Sequence, residues 1–275
     1  MIESFLVTSR ETLEASLVIG IVLAYLNKTN NQSYKKTVYY AIAFGILASI
    51  LAAFTFNFFA GEFEGTGQLI FEGVTMLVGA FLLTTMILWM MQQRYLAKEI
   101  ESKVAMHLMN PGAMVSHLGI FMVIFIAIIR EGIETVIYMN ALNYASGINF
   151  LGGTLGIIAA VVVGYLFFVS TRKINLKKLF NFTSVLLILF AAGLIAHGFH
   201  ELEEAKIIPG IISPLYDSGN IISETGLVGG FLKELFGYSS NPSLMEVLAY
   251  FAYLGLILVS YLNIRRSRAR LQHKV

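Results

Sequence analysis

The sequence predicts an all-α polytopic membrane protein with seven transmembrane helices, arranged as a 3+3 inverted repeat plus one additional helix. Three observations predict it. The chain is 57% hydrophobic and only 13% charged, where a soluble domain carries about a quarter charged residues. Seven stretches are apolar over the roughly 20 residues that a bilayer-spanning helix needs. A five-residue pattern, Arg-Glu-x-x-Glu, occurs twice, inside the first and the fourth of those stretches.

The spans are expected at about 4–26, 37–60, 67–92, 116–139, 151–171, 178–200 and 244–264. The first begins at once, without a basic leader, and contains Arg10 and Glu11, so it reads as a retained helix rather than a cleavable signal. The second carries small residues at four-residue spacing, Ala41, Gly45, Ser49 and Ala53. The fifth does the same with Gly152, Gly156, Ala160 and Gly164. Such stripes let helix backbones approach closely. Short loops join the spans, except for one longer segment, 201–243. No Pro/Ser-rich linker divides the chain, which reads as a single transmembrane domain over 1–275.

Basic residues set the expected orientation. Lys28, Lys35 and Lys36 follow the first span, and Arg94, Lys98 and Lys103 the third. Arg172, Lys173, Lys177 and Lys178 follow the fifth, and Arg265, Arg266, Arg268, Arg270 and Lys274 the seventh. All four groups share one side if there are seven spans. The positive-inside rule then places the N-terminus outside and the C-terminus in the cytoplasm. The opposite loops are acidic, with Glu62, Glu64, Glu201, Glu203, Glu204, Asp217, Glu224 and Glu234. A net charge of +2 spread over loops gives no reason to expect nucleic acid as a partner, whereas the lipid bilayer is one. The chain has no cysteine, which excludes disulfides, thiolate metal sites and cysteine catalysis.

The two motifs are Arg10, Glu11 and Glu14, and Arg130, Glu131 and Glu134. An ionisable residue at the centre of a membrane helix costs roughly 2.5–3.5 kcal/mol, so six unpaired ones would cost on the order of 15–20 kcal/mol. Within each motif the glutamates are i and i+3, and the arginine reaches the second at i+4, so all share one helix face. The motif helices run in opposite directions, so the first three and next three spans read as an inverted repeat, a common transporter design. Where the helices face each other, four carboxylates converge against two guanidiniums. Oxygen ligands of this kind suit Mg, Ca, Mn and iron. The bland alternative is that each motif is an internal ion-pair staple. With these boundaries both motifs fall in the outer half of their spans.

A second constellation closes the sixth span: His197, His200, Glu201, Glu203 and Glu204. His197, His200 and Glu204 fall within about one face of a helix end. The functional reading is an outer metal-collecting mouth built from His197, His200, Glu201 and Glu204 with Glu72, and with Glu246 as a further candidate; the alternative is a solvated helix end. Met106, Met109 and Met114 offer thioethers, which select Cu(I), but they sit in an expected cytoplasmic loop. Trp89, Met90 and Met91 read as lipid-facing or interfacial. No Walker loop, G-x-S-x-G or H-E-x-x-H is present, and no enzymatic activity is expected.

RETLE and REGIE on the first and fourth of seven spans resemble the signature of the high-affinity iron permease family, the oxidase-dependent iron transporters of fungi and, as the EfeU type, of bacteria. Residues 71–90, FEGVTMLVGAFLLTTMILWM, resemble the family's third helix, and 191–205, AAGLIAHGFHELEEA, the end of its sixth. The resemblance implies iron uptake across the plasma membrane, the bacterial inner membrane, with iron as the transported substrate and no permanently bound cofactor. It assigns iron binding to Glu11, Glu14, Glu131 and Glu134, with Arg10 and Arg130 as their partners. It further implies an iron-delivery partner, a multicopper oxidase in fungi or a periplasmic protein in bacteria. The segment 201–243 is short and has no clear copy of a fungal oxidase-coupling motif. Rival readings are a transporter of Mn, Zn or Pb, an intramembrane carboxylate di-metal enzyme, and a membrane scaffold. A di-metal enzyme usually adds Glu-x-x-His, and neither motif contains histidine.

Overall fold

The structure, a computed structural model, describes residues 1–92, 96–108, 113–169, 176–224 and 226–272. Arg94, Met109, Arg172, Lys173 and Lys274 lie outside the described residues, as do the side chains of Met91, Lys98, Met114, Lys177, Lys178, Arg265, Arg266, Arg268 and Arg270. Among the described residues all regular structure is helical. The helices are α1 (Ile2–Lys28), α2 (Lys35–Ala60), α3 (Thr66–Gln92), α4 (Leu96–Leu108), α5 (Ala113–Ser146), α6 (Phe150–Val169), α7 (Leu176–Glu204), α8 (Leu227–Phe236) and α9 (Leu244–Gln272). Each expected span falls on one of them.

Among the described residues, four stretches are by length and composition apolar enough to cross a membrane: Gln32–Ala60, Thr66–Met90, Phe180–Glu204 and Leu244–Ile264. The expected seven is therefore not reached on length and apolarity alone. The helices α1 and α5 are long, at 27 and 34 residues, but each carries a charged motif. The apolar stretch Phe150–Leu166 of α6 is shorter. Outward faces of α2, α6 and α9 expose Phe44, Phe54, Phe58, Leu151, Tyr165, Phe251 and Leu258. An apolar surface of that extent needs lipid rather than water around it, as in a multi-pass membrane protein.

Three elements differ from the sequence expectation. The helix α4 occupies a segment read as a loop. Its Leu96, Ile100, Val104 and Leu108 recur every four residues, and Ile100 and Val104 are buried. The helix α8 sits within 201–243 and buries Leu235. The helix α5 continues to Ser146, seven residues past the expected end at 139, which puts its motif at mid-helix rather than in the outer half. It ends where Gly147, at φ 87°, turns its N–H back to Leu142 and Asn143 carbonyls. Asn30, at φ 60°, ends α1 similarly, with Asn31 N–H bonded to the Leu26 carbonyl.

Packing follows the small residues. The main pairings are α1 along α6, α2 along α5, and α3 along α7, with α9 against α7. A Cβ on Gly156 of α6 would lie 2.5 Å from the Phe5 carbonyl oxygen of α1. A Cβ on Gly45 of α2 would lie 2.8 Å from the Ile128 side chain of α5. A Cβ on Gly73 of α3 would lie 3.0 Å from the Gly198 oxygen of α7, and one on Gly198 would lie 3.1 Å from the Gly73 oxygen. Two apolar clusters result. One joins Leu6 and Val7 of α1 to Tyr138, Ala141 and Leu142 of α5, with α3, α7 and α9 around them. The other joins Val22 and Leu26 of α1 to Ile120, Ile124 and Ile128 of α5, with α2 and α4. The motifs lie between the two.

The segment between α7 and α9 is tied down by polar contacts. Leu215 N–H reaches the Pro242 carbonyl at 2.8 Å, and Ser218 N–H reaches that of Ser240 at 2.9 Å. Glu224 accepts hydrogen bonds from Lys233 Nζ at 2.8 Å and from the Ser240 amide at 2.7 Å. Partial burial pushes the Glu224 carboxyl up, but the Lys233 ammonium and the Ser240 amide and hydroxyl outweigh it and hold the carboxyl at about 2.

Three outcomes are expected. Gly156→Val should force α1 and α6 apart, because backbone meets the new side chain, at a cost of about 1–3 kcal/mol or more. Gly255→Ala, with nothing within 4 Å, should leave thermal unfolding in detergent unchanged or slightly improved. The Glu224 clip stabilises the segment between α7 and α9 above the carboxyl's ordinary value of 4.5 and loses that contribution as pH falls toward about 2. Hydrogen exchange at 237–241 should therefore rise over that window, and Glu224→Gln should raise it already at pH 7.

A candidate metal centre between α1 and α5

The motif on α1 is almost fully enclosed. Arg10 is 1% exposed and Glu11 2%. Arg10 Nη1 donates to Glu11 Oε1 at 3.1 Å, and Arg10 Nη2 lies 3.4 Å from Glu14 Oε1. The remaining guanidinium contacts are thioethers of α3, Met86 Sδ at 2.6 Å and Met90 Sδ at 3.1 Å. On α5 the arrangement repeats with a difference. Arg130 donates to Glu131 Oε1 from Nη2 at 2.6 Å and lies 3.4 Å from Glu134 through Nε, yet its side chain is 50% exposed. Its guanidinium sits over the Trp89 ring, 5.9 Å from the centroid.

Glu11, Glu131 and Glu134 each bring a carboxylate oxygen within 4.8 Å of the other two. Glu14 is not part of this trio and stays with Arg10. Tyr138, one turn after Glu134 and fully buried, donates its hydroxyl to Glu134 Oε2 at 3.1 Å. Glu11 Oε2, Glu131 Oε2, Glu14 Oε1 and Arg10 Nε are buried without a hydrogen-bond partner. A buried polar atom left unpaired costs about 1–3 kcal/mol, and more when charged. Two such oxygens, on Glu11 and Glu131 of the trio, lie in a cluster of formal charge −2 and make it a candidate cation site.

The last turns of α3 hold both arginines, and the sequence reading missed this. Met86, Trp89 and Met90 are i, i+3 and i+4, a single helix face. That spacing was the available signal. Met90 is therefore turned to Arg10 rather than to lipid, while Trp89 keeps an exposed edge at 42%.

At the end of α7 the structure gathers a different subset from the one-face set. His200, Glu203 and Glu246 bring ligand atoms within 4.8 Å of one another. His197 is turned to the Gly193 carbonyl at 3.0 Å, and Glu204 is exposed. Glu72 accepts from Gln68 at 2.7 Å, and Glu201 Oε2 is buried without a partner beside the α3–α7 crossing.

An all-helical apolar bundle with a buried carboxylate centre between two charged helices defines a multi-pass membrane protein built to handle cations. The chain belongs to the iron permease FTR1 family, whose model matches residues 1–270. It is 30% identical to the ferrous iron permease EfeU of Yersinia pestis, over 98% of this chain and 96% of the relative. It is 28% identical to the protein of the same name from Escherichia coli O6:K15:H31, over the full length of both. The Shigella sonnei permease of that name is 29% identical over 95% of each chain. No solved structure matches the chain.

The two arginines should differ on removal. Arg10→Leu strands buried carboxylates and should cost about 3–5 kcal/mol. Arg130→Leu also strands the buried Glu131, but its half-exposed guanidinium is the less enclosed of the two, so it should cost less than Arg10→Leu. Unfolding of the two variants in the same detergent measures the difference.

Proposed function

We propose that the protein takes up iron across the plasma membrane, the bacterial inner membrane, through the paired Arg-Glu-x-x-Glu motifs of α1 and α5. The observation that carries this reading is the oxygen trio of Glu11, Glu131 and Glu134, flanked by unpaired buried carboxylate oxygens. Hard oxygen donors without a thiolate suit an iron ion that must be released again. The relatives are named for ferrous iron, which favours Fe2+ as the transported ion.

The proposed architecture is one transmembrane domain of seven spans, α1, α2, α3, α5, α6, α7 and α9, with the N-terminus outside. Its first six spans form the inverted repeat. Helix pairing supports this: exchanging the halves turns α1·α6 into α5·α2 and maps α3·α7 and α1·α5 onto themselves. The glycine contacts support it too. Gly156 meets Thr8, three residues before Glu11, and Gly45 meets Ile128, three before Glu131. Gly73 and Gly198 meet each other.

The trio lies between two closely packed helix pairs, α1 with α6 and α5 with α2. Apolar clusters close the path on both sides of it. Rocking one pair against the other would open one cluster at a time around a fixed site. Arg10 and Arg130 hold the carboxylates when iron is absent and yield part of that charge when it arrives. A periplasmic or extracellular iron-delivery protein, or an oxidase, is the proposed partner at the outer side.

Proteoliposomes containing the purified chain should accumulate radioactive iron, and Glu11→Gln and Glu131→Gln should reduce accumulation to background while the protein stays folded. Offering Fe2+ and Fe3+ separately reports the oxidation state, and competition by Mn, Zn and Pb reports the selectivity. Undiminished uptake by both variants would remove the motifs from the path.

A further inference from the structure

We infer that His200, Glu203 and Glu246 form a second metal site, specific for a divalent first-row transition ion, at the junction of α7 and α9. The inference rests on the permease reading only for its role, which is to receive the ion at the outer side before it reaches the motif centre. The site itself stands on geometry. One nitrogen and two carboxylate oxygens, one from each residue, lie within 4.8 Å of one another. His200 Nδ1 is hydrogen-bonded to Glu246 Oε1 at 2.9 Å, a contact that a bound ion would replace. Metal–nitrogen and metal–oxygen bonds of about 2.0–2.2 Å meeting at a right angle place the two ligand atoms about 3 Å apart. The pair therefore already spans an edge of a coordination polyhedron.

The ligands are held in place from behind. Ser243 and Glu246 form a capping box at the start of α9. The Ser243 N–H donates to Glu246 Oε1 at 2.9 Å, and the Glu246 N–H to Ser243 Oγ at 3.2 Å. The Ser243 hydroxyl donates to Glu203 Oε2. This leaves Glu203 Oε1 buried with no hydrogen-bond partner. The helix cap and the His200–Glu246 hydrogen bond together leave that Glu203 oxygen unaccounted for. The His200 side chain is 46% exposed while that of Glu246 is 5% exposed, which gives an accessible nitrogen over a buried carboxylate floor.

The donor set differs from that of the motif centre. An imidazole with two carboxylates favours Mn2+, Fe2+, Co2+ or Zn2+ over Mg2+ and Ca2+, which take oxygen alone. Three protein ligands leave positions for water, and such a site exchanges its ion readily. The trio between α1 and α5 has oxygen only.

Mn2+ is the probe, because it remains divalent in air. The full chain in nanodiscs is titrated with Mn2+, free ion is counted by EPR, and nitrogen coupling to bound Mn2+ is read by pulsed EPR. The wild type should bind two equivalents, one with histidine nitrogen coupling. The Glu11→Gln/Glu131→Gln double variant should keep only the nitrogen-coupled equivalent. His200→Ala and Glu203→Gln should each lose that equivalent and keep the other, with unchanged unfolding in metal-free buffer. An excess of Mg2+ should not displace the nitrogen-coupled ion. Absence of nitrogen coupling in the wild type, or its persistence in His200→Ala, overturns the inference and leaves these residues as a helix cap. Loss of the nitrogen-coupled equivalent in His200→Ala, with no change in binding in the motif double variant, upholds the outer site and counts against the motif reading instead.

Discussion

Four carboxylates and two guanidiniums at the heart of an apolar bundle set the terms for the rest of the structure. None of these groups is affordable alone in hydrocarbon, so each must find the others at hydrogen-bond range. Range of that kind requires backbones to come close, and the glycines and small residues of α2 and α6 permit it. The Gly156 contact with Phe5 and Thr8 draws α6 onto α1, and the Gly45 contact with Ile128 draws α2 onto α5. The charged centre is then enclosed by helices that contribute no charge to it. Each motif arginine meets carboxylates of its own helix, so neither pair depends on the other helix. What assembles between α1 and α5 is mainly carboxylate against carboxylate, an arrangement that repels until something positive enters.

The two halves are alike in pattern and unlike in state. Arg10 is sealed under Met86 and Met90, while Arg130 is half exposed beside Trp89. A thioether is a weak acceptor, so the Arg10 guanidinium is held mainly by Glu11 and by its ion pair with Glu14, and its Nε has no partner. One face of α3 touches both arginines, which makes it the element able to register a change in either. On the proposed inverted repeat, one arginine enclosed and the other open is what a two-state carrier presents when it rests in one of its states.

Much of this was legible in the sequence. Charged pentapeptides inside apolar runs stand out because hydrocarbon makes them costly, and the small-residue stripes on the second and fifth spans turned out to be the close helix contacts. The helices α4 and α8 were missed because their apolar residues cover one face of a short helix, which hydropathy averaging over a span length erases. The end of α5 was placed too early because Tyr138, Asn140, Asn143 and Tyr144 dilute its hydropathy, although helix geometry continues to Gly147. The grouping of His200 with Glu203 and Glu246 depends on α9 meeting α7, a contact between residues 46 apart that no local spacing encodes. Convergence of all four motif glutamates was expected from helix faces. Three converge: Glu14 stays with Arg10, while Glu134, at the same spacing and distance from its half-exposed Arg130, joins the trio.

The unpaired oxygens separate a staple from a binding centre. A staple is stable in proportion to how completely its charges are satisfied, and an unpaired buried carboxylate oxygen only weakens it. Glu11 and Glu131 each leave such an oxygen buried without a hydrogen-bond partner, while Glu14 Oε1, also without one, stays 3.4 Å from Arg10 Nη2 in its ion pair. The unpaired donor nearby is Arg10 Nε. The two oxygens of the trio gain from a proton, a water or a cation, and on the proposed reading a divalent ion also offsets the formal excess of two carboxylates. Its departure then restores the deficit, which favours a site that releases its ion.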